Sequence, residues 1–277
     1  MVQVSTKKIT HDGNNMRPES IQHRIYLTAL RNRIITLAEA KAIAGRDASA
    51  RMAVWRLSQR GELLRIREGL YAAVPPEQVG SEFEVDRYVL IDRFAGKTGA
   101  LAYHSALELH GIAYSRFNKV FYITKKRMKP FSFQDIDYHV VLSTDPFGMT
   151  TVSHDGMKVP VTDKERTFLD CIRRPDLCGG FEEYIKSLDG FTLLSPVRLL
   201  DYLERFDERC LYQRAGLILT ILKGRIRVQD DLLDVMRSRV GPTRCYLLPG
   251  MEQGGGVHVK EWNVIVPENI QEMIRFV

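Results

Sequence analysis

A chain of 277 residues with an apolar fraction of 44% and 27% charged residues has globular composition and room for two domains, which excludes a disordered or fibrous protein. No run of about 18 apolar residues is present, so a helical membrane span is excluded. The formal net charge of +6 is modest, but six arginines (Arg46, Arg51, Arg56, Arg60, Arg65, Arg67) stand against two acids (Asp47, Glu62) in one short stretch, a local net of +4.

The opening residues are polar (Lys7, Lys8, His11, Asp12, Asn14, Asn15) and lack the apolar core of a signal peptide, so residues 1–17 are expected to be a flexible N-terminus and the protein cytoplasmic. Pro18-Glu19-Ser20 opens a first predicted helix through Leu30, with Ile21, Ile25, Leu27 and Leu30 as its apolar positions. Ile34-Ile35 reads as extended. Thr36 caps a second predicted helix, Leu37 to Ala44, which Gly45 ends.

After a three-residue turn, Ser49 is expected to cap a third helix from Ala50 to Arg60. Its Ala50, Ala53, Val54 and Leu57 form one stripe at helical spacing. The opposite face then carries Arg51, Met52, Trp55, Arg56 and Gln59. Leu63 to Ile66 and Leu70 to Ala73 are strand-like runs joined by Arg67-Glu68-Gly69, the glycine supplying a positive φ for a tight hairpin. Helix, helix, turn, helix, hairpin is the order of a winged helix-turn-helix, expected over residues 18–75.

Pro75-Pro76 breaks both helix and ladder, so residues 76–81 are expected to be a linker and 82–277 a larger mixed α/β domain. The fold class is therefore α+β. Beyond the linker, helices are predicted from Glu82 to Phe94, after Tyr103, and near 181–187, 196–206, 209–222 and 230–236, with a last short one after Pro267. Strands are predicted at 120–124, 138–142, 245–248 and 262–266. Thr162-Asp163-Lys164-Glu165 has the form of a capping box opening a helix to Arg173. Cys171, Cys178, Cys210 and Cys245 have no paired C-x-x-C spacing and are expected to be reduced core thiols.

In a helix-turn-helix the recognition helix enters the major groove while basic side chains hold phosphates. The expected DNA-binding residues are Ser49, Arg51, Met52, Trp55, Arg56 and Gln59 on the helix, and Arg65 and Arg67 on the wing. A secondary basic patch, Lys125, Lys126, Arg127 and Lys129, lies beside Phe121, Tyr122, Phe131 and Phe133, although those aromatics fit strand core. Enzyme signatures are poor: no G-x-x-x-x-G-K-[ST] and no H-E-x-x-H occur, and Gly254-Gly255-Gly256 lacks a flanking strand and helix. Asp135-x-Asp137 lacks the preceding element that nucleotidyl transfer needs. Pro175-Asp176 with Glu183 and Lys186 has a nuclease-like outline, but the Glu and Lys are one residue too far apart. No catalytic residue, metal or cofactor is expected, and His104 and His110 are expected to be packed or surface residues.

Three stretches together carry a resemblance: Leu57, Gly61, Leu63, Arg65, Gly69 and Tyr71; His104-Ser105-Ala106-Leu107 with His110-Gly111; and Glu165-Arg166-Thr167 with Leu169-Asp170, Pro175 and Gly179-Gly180. In this order and spacing the chain resembles the AbiEi-type antitoxins of type IV toxin-antitoxin systems, over nearly its whole length. The resemblance implies a winged-helix autorepressor acting at inverted repeats in its own double-stranded operator DNA. It also implies a C-terminal domain that counters a nucleotidyltransferase-like toxin without a stable complex. The glycine-rich loop Met251 to Val257 is a departure from the family's pattern, and the resemblance assigns it no role. The competing reading is a metal-dependent nucleic-acid-processing enzyme, with Asp135, Asp137 or Asp176 and Glu183 as ligands and the winged helix positioning substrate. A transcription factor sensing a small molecule is a third.

Overall fold

A computed structural model describes residues 20–248, 251 and 255–275; the expected flexible N-terminus, 1–17, and part of the 251–257 loop, including Gly254, lie outside them. The chain divides into two compact units between Phe83 and Glu84.

The first unit contains α1 (Ile21–Asn32), β1 (Ile34–Thr36), α2 (Leu37–Ala44), α3 (Asp47–Gln59), β2 (Leu63–Arg67) and β3 (Leu70–Ala73). Its three strands form an antiparallel sheet in the order β1-β3-β2, which with the three helices makes a winged helix-turn-helix. Ser20 caps α1, its hydroxyl accepting from His23 N at 3.2 Å. Thr36 and Glu39 form a reciprocal capping box at α2. Small residues let the helices approach: Ala29, Ala40, Ala50 and Ala53 pack with Ile25, Val54, Leu57 and Leu63 in the core. The expected Ser49 cap is corrected. Gly45, at φ 74°, and Arg46 alone make the turn, so α3 starts at Asp47, and no side chain caps it. An acid in the first turn suits the helix dipole there. Past the wing, Pro76–Gln78 forms a short 3₁₀ turn.

The second unit is a mixed sheet covered by helices, and the chain as a whole is α+β. Its elements begin with α4 (Arg87–Phe94), β4 (Gly99–Leu101), α5 (His104–Leu109), β5 (Lys119–Thr124), β6 (Phe131–Phe133), β7 (Ile136–Leu142), β8 (Met149–His154) and β9 (Met157–Thr162). The strands lie in the order β6-β7-β5-β4-β9-β8, with β5/β7 and β4/β9 parallel. Helices α6 (Lys164–Arg173), α7 (Phe181–Ser187), α8 (Pro196–Phe206), α9 (Arg209–Ile221) and α10 (Asp230–Ser238) follow. A small sheet of β10 (Cys245–Tyr246), β11 (Val257–Val259) and β12 (Val264–Val266), then α11 (Ile270–Arg275), completes the unit. Phe121 and Ile123 of the sheet share one core with Phe168, Leu169, Tyr184, Leu203, Ile218 and Trp262.

Two local expectations are corrected here. Thr162 still pairs with Met149 in the β8–β9 ladder, so Asp163 caps α6 instead, accepting from Arg166 N at 2.8 Å. Glu165 turns away to accept from Ser195 N at 2.7 Å, and there is no capping box. Cys210 and Cys245 form a disulfide, because the start of α9 and β10 bring residues 35 apart in sequence to a Cα separation of 5.6 Å. Cys171 and Cys178 are buried and outside any disulfide.

Gly216 in α9 gives a test of packing against propensity. A Cβ there meets the Trp262 ring at 2.1 Å. Alanine gains about 1 kcal/mol of helix propensity over glycine, but forcing a fully buried indole aside costs about 1–3 kcal/mol. Gly216→Ala is therefore expected to lower the urea midpoint; a raised midpoint means the ring moves freely.

Candidate nucleic-acid interface

The core stripe of α3 is Ala50, Ala53, Val54 and Leu57, all buried, so helical geometry turns Arg51, Met52, Trp55, Arg56 and Gln59 outward, and all five are exposed. Ser49 is half-buried in the first turn. Trp55 is 57% exposed and Met52 49%, unusual for such large apolar side chains on a helix otherwise rich in arginine. On the wing, Arg65 and Arg67 of β2 are exposed, and the strand is bulged between them, which re-aims the side chain that follows. Gly69, at φ 74°, turns the chain back into β3.

Arg51 is the fifth residue of α3, not the second, and Asp47 one turn earlier accepts from its Nε at 2.9 Å. Asp47 also pairs with Lys41 of α2. The hydrogen bond from Lys41, then that from Arg51, holds the Asp47 carboxyl below the usual carboxylate range. Helix α3 thus carries a carboxylate at its leading end that tethers Arg51, one of the expected DNA-binding residues. Sequence reading missed this pair, although the i,i+4 spacing of Asp47 and Arg51 is a signal that could have found it.

The secondary patch, Lys125, Lys126, Arg127 and Lys129, is exposed in the connection from β5 to β6. Its aromatic neighbours belong to the second unit's packing: Phe121 stacks on His139 at 5.3 Å and Phe131 on Tyr138 at 4.6 Å. The carboxylates weighed as metal ligands do not assemble. Asp137 accepts from Ser132 Oγ at 2.6 Å in the β6–β7 hairpin, where Asp135 has a positive φ of 58°. Asp176 is forked by Arg174, and Glu183 accepts from Ser115 N at 2.7 Å. Lys186 pairs with Glu182.

The second unit has a cleft of about 510 Å³, lined among others by Arg87, Tyr88, Glu108, Ser115, Arg116 and His154. Glu108 accepts from Arg87 Nη2 at 2.7 Å, from the Tyr88 hydroxyl and from Phe117 N at 3.2 Å. Behind it His104 is fully buried, its Nδ1 3.6 Å from Glu108 and its Nε2 3.5 Å from Glu183. Burial, opposed by the two carboxylates, holds its pKa below the ordinary imidazole value. His110 is part-buried, with Nε2 2.7 Å from Thr162 O. Both histidines are packed, and neither contact was visible from the spacing of the residues.

These features define a two-unit protein: a winged helix-turn-helix with an exposed aromatic and arginine face, joined to a mixed-sheet unit. The crystal structure of Rv2827c from Mycobacterium tuberculosis has the same fold, with a TM-score of 0.65 at 16% identity over 95% of this chain and 97% of that one. No family model and no curated protein matches the sequence.

Proposed function

We propose that the chain is a cytoplasmic, non-enzymatic DNA-binding autorepressor and an antitoxin of the AbiEi type. Its first unit reads inverted repeats in its own operator, and its second unit counters a nucleotidyltransferase-like toxin without forming a stable complex with it. The observation that carries the reading is the outward face of α3, where Trp55 and Met52 lie exposed among Arg51, Arg56 and Gln59. A monomer gains nothing from exposing an indole and a thioether there. A DNA groove offers base edges to the guanidinium and amide groups and thymine methyls to the apolar ones. The resemblance of the motifs between Leu57 and Gly180 to those of the antitoxins supports the second half of the reading.

The test is Arg51→Glu/Arg56→Glu in the full chain. Both side chains are exposed, so the fold is expected to survive. Binding to the DNA upstream of its own gene is expected to be abolished, while rescue of growth from the cognate toxin persists. Operator binding at the unaltered level overturns the assignment of α3. Failure of the unaltered chain to rescue growth overturns the antitoxin assignment.

A further inference from the structure

One side-chain group in the second unit is used by neither role. Asp86 caps α4, its Oδ1 accepting from Tyr88 N and Val89 N at 3.0 Å each. That anchoring turns Oδ2 towards His154 Nε2, 2.9 Å away. His154 ends β8, and Asp155 follows it in the two-residue turn to β9, with φ 45°. One ligand atom from each of Asp86, His154 and Asp155 lies within 4.8 Å of the other two. Ligands about 2.0–2.2 Å from a zinc ion stand roughly 3.0–3.6 Å apart. The Asp86–His154 pair is nearly there already, and Asp155, on an exposed turn, has little distance to close.

The surroundings also suit a bound ion. His154 stacks edge-on against Tyr88, with ring centroids 5.0 Å apart, which fixes the imidazole plane. His154 also lines the cleft together with Arg87, which is 5% exposed and whose buried Nε has no hydrogen-bond partner. A three-ligand zinc ion leaves a fourth position for water, and the cleft that His154 lines gives solvent a route to it.

We propose that Asp86, His154 and Asp155 form a site for a borderline divalent cation of the zinc type, open to this cleft, where the ion completes its coordination with water. The imidazole selects zinc over magnesium, which prefers an all-oxygen shell and keeps its waters. The carboxylate hydrogen-bonded to helix amides supplies the outer-shell support that metal ligands use.

The experiment is calorimetric titration of the full chain, freed of metal with a chelator, with Zn²⁺ and separately Mg²⁺. The unaltered chain is expected to take up one Zn²⁺ and to show a raised Tm, with no response to Mg²⁺. His154→Ala and Asp155→Asn are each expected to lower Zn²⁺ affinity at least about 10-fold, the effect that loss of an outer-shell partner alone produces. Asparagine keeps the left-handed turn at 155, so loss of binding there is not loss of the hairpin. Absence of saturable Zn²⁺ uptake by the unaltered chain, or unaltered affinity in both variants, overturns the proposal and leaves Asp86–His154 as an ion pair between α4 and the β8–β9 hairpin.

Discussion

Asp170→Ala is expected to destabilise the second unit by about 3–5 kcal/mol, the cost of leaving a buried charge without its partner. Asp170 is fully buried on α6 and accepts from Arg166 Nε at 2.9 Å. Arg166 is 3% exposed and donates further to Phe147 O at 3.1 Å. Its guanidinium stands 4.2 Å from the Phe147 ring centroid and 4.6 Å from that of Phe206. Two aromatic faces and one carbonyl cannot replace the carboxylate, and the aromatic walls bar water from doing so. Urea unfolding followed by circular dichroism measures the loss. The double variant Arg166→Met/Asp170→Leu is expected to recover much of it, since an apolar pair of similar volume removes both desolvation penalties. A loss below about 1 kcal/mol for Asp170→Ala, the range of an exposed pair, means that water reaches the site.

Arg51→Ala and Arg67→Ala are expected to impair DNA binding in different ways. Arg51 is on the outward face of α3, where a guanidinium forked onto a guanine edge discriminates bases; its loss is expected to cost about 1–3 kcal/mol on operator DNA and little on scrambled duplex. Arg67 ends β2 at the wing tip, and its loss should weaken both duplexes alike and reduce the slope of log affinity against log salt by about 0.9. Asp47 adds a third arm. Asp47→Ala releases Arg51 and removes a carboxylate from the groove-facing end, so affinity for both duplexes is expected to rise. Equal losses on the two duplexes for Arg51→Ala identify it as a phosphate contact, and sequence reading then falls to Trp55, Arg56 or Gln59.

The first unit was largely legible in the sequence because its signals are local. The alanine stripe of α3, the Thr36 cap, Gly45 and Gly69 each act within a few residues of themselves. The start of α3 was missed because Ser49 is the better cap by residue type, whereas the short turn at Gly45-Arg46 decides the geometry. In the second unit the helices were visible, but four of the six strands of the main sheet were not. Strand β4 is three buried residues with no alternation to detect, and β8 is Met-Thr-Thr-Val-Ser-His with mostly exposed side chains. The parallel pairing of β5 with β7 leaves no hairpin signal between them. Asp86 and His154 face each other only because α4 packs beside β9, a relation that no spacing encodes. The same applies to the Cys210–Cys245 bridge.

The chain contains two tryptophans, one in each unit and in opposite environments: Trp55 is more than half exposed on α3, and Trp262 is sealed in the core against Gly216. Its intrinsic fluorescence therefore has two resolvable components, a red-shifted, quencher-accessible one from the first unit and a blue-shifted, shielded one from the second. Acrylamide quenching separates them without labels. Duplex DNA that covers α3 should protect only the accessible component, while denaturant that opens the second unit should shift only the shielded one. One cuvette thus reports groove engagement and unfolding of the second unit as independent signals, and Trp55→Phe assigns each to its source.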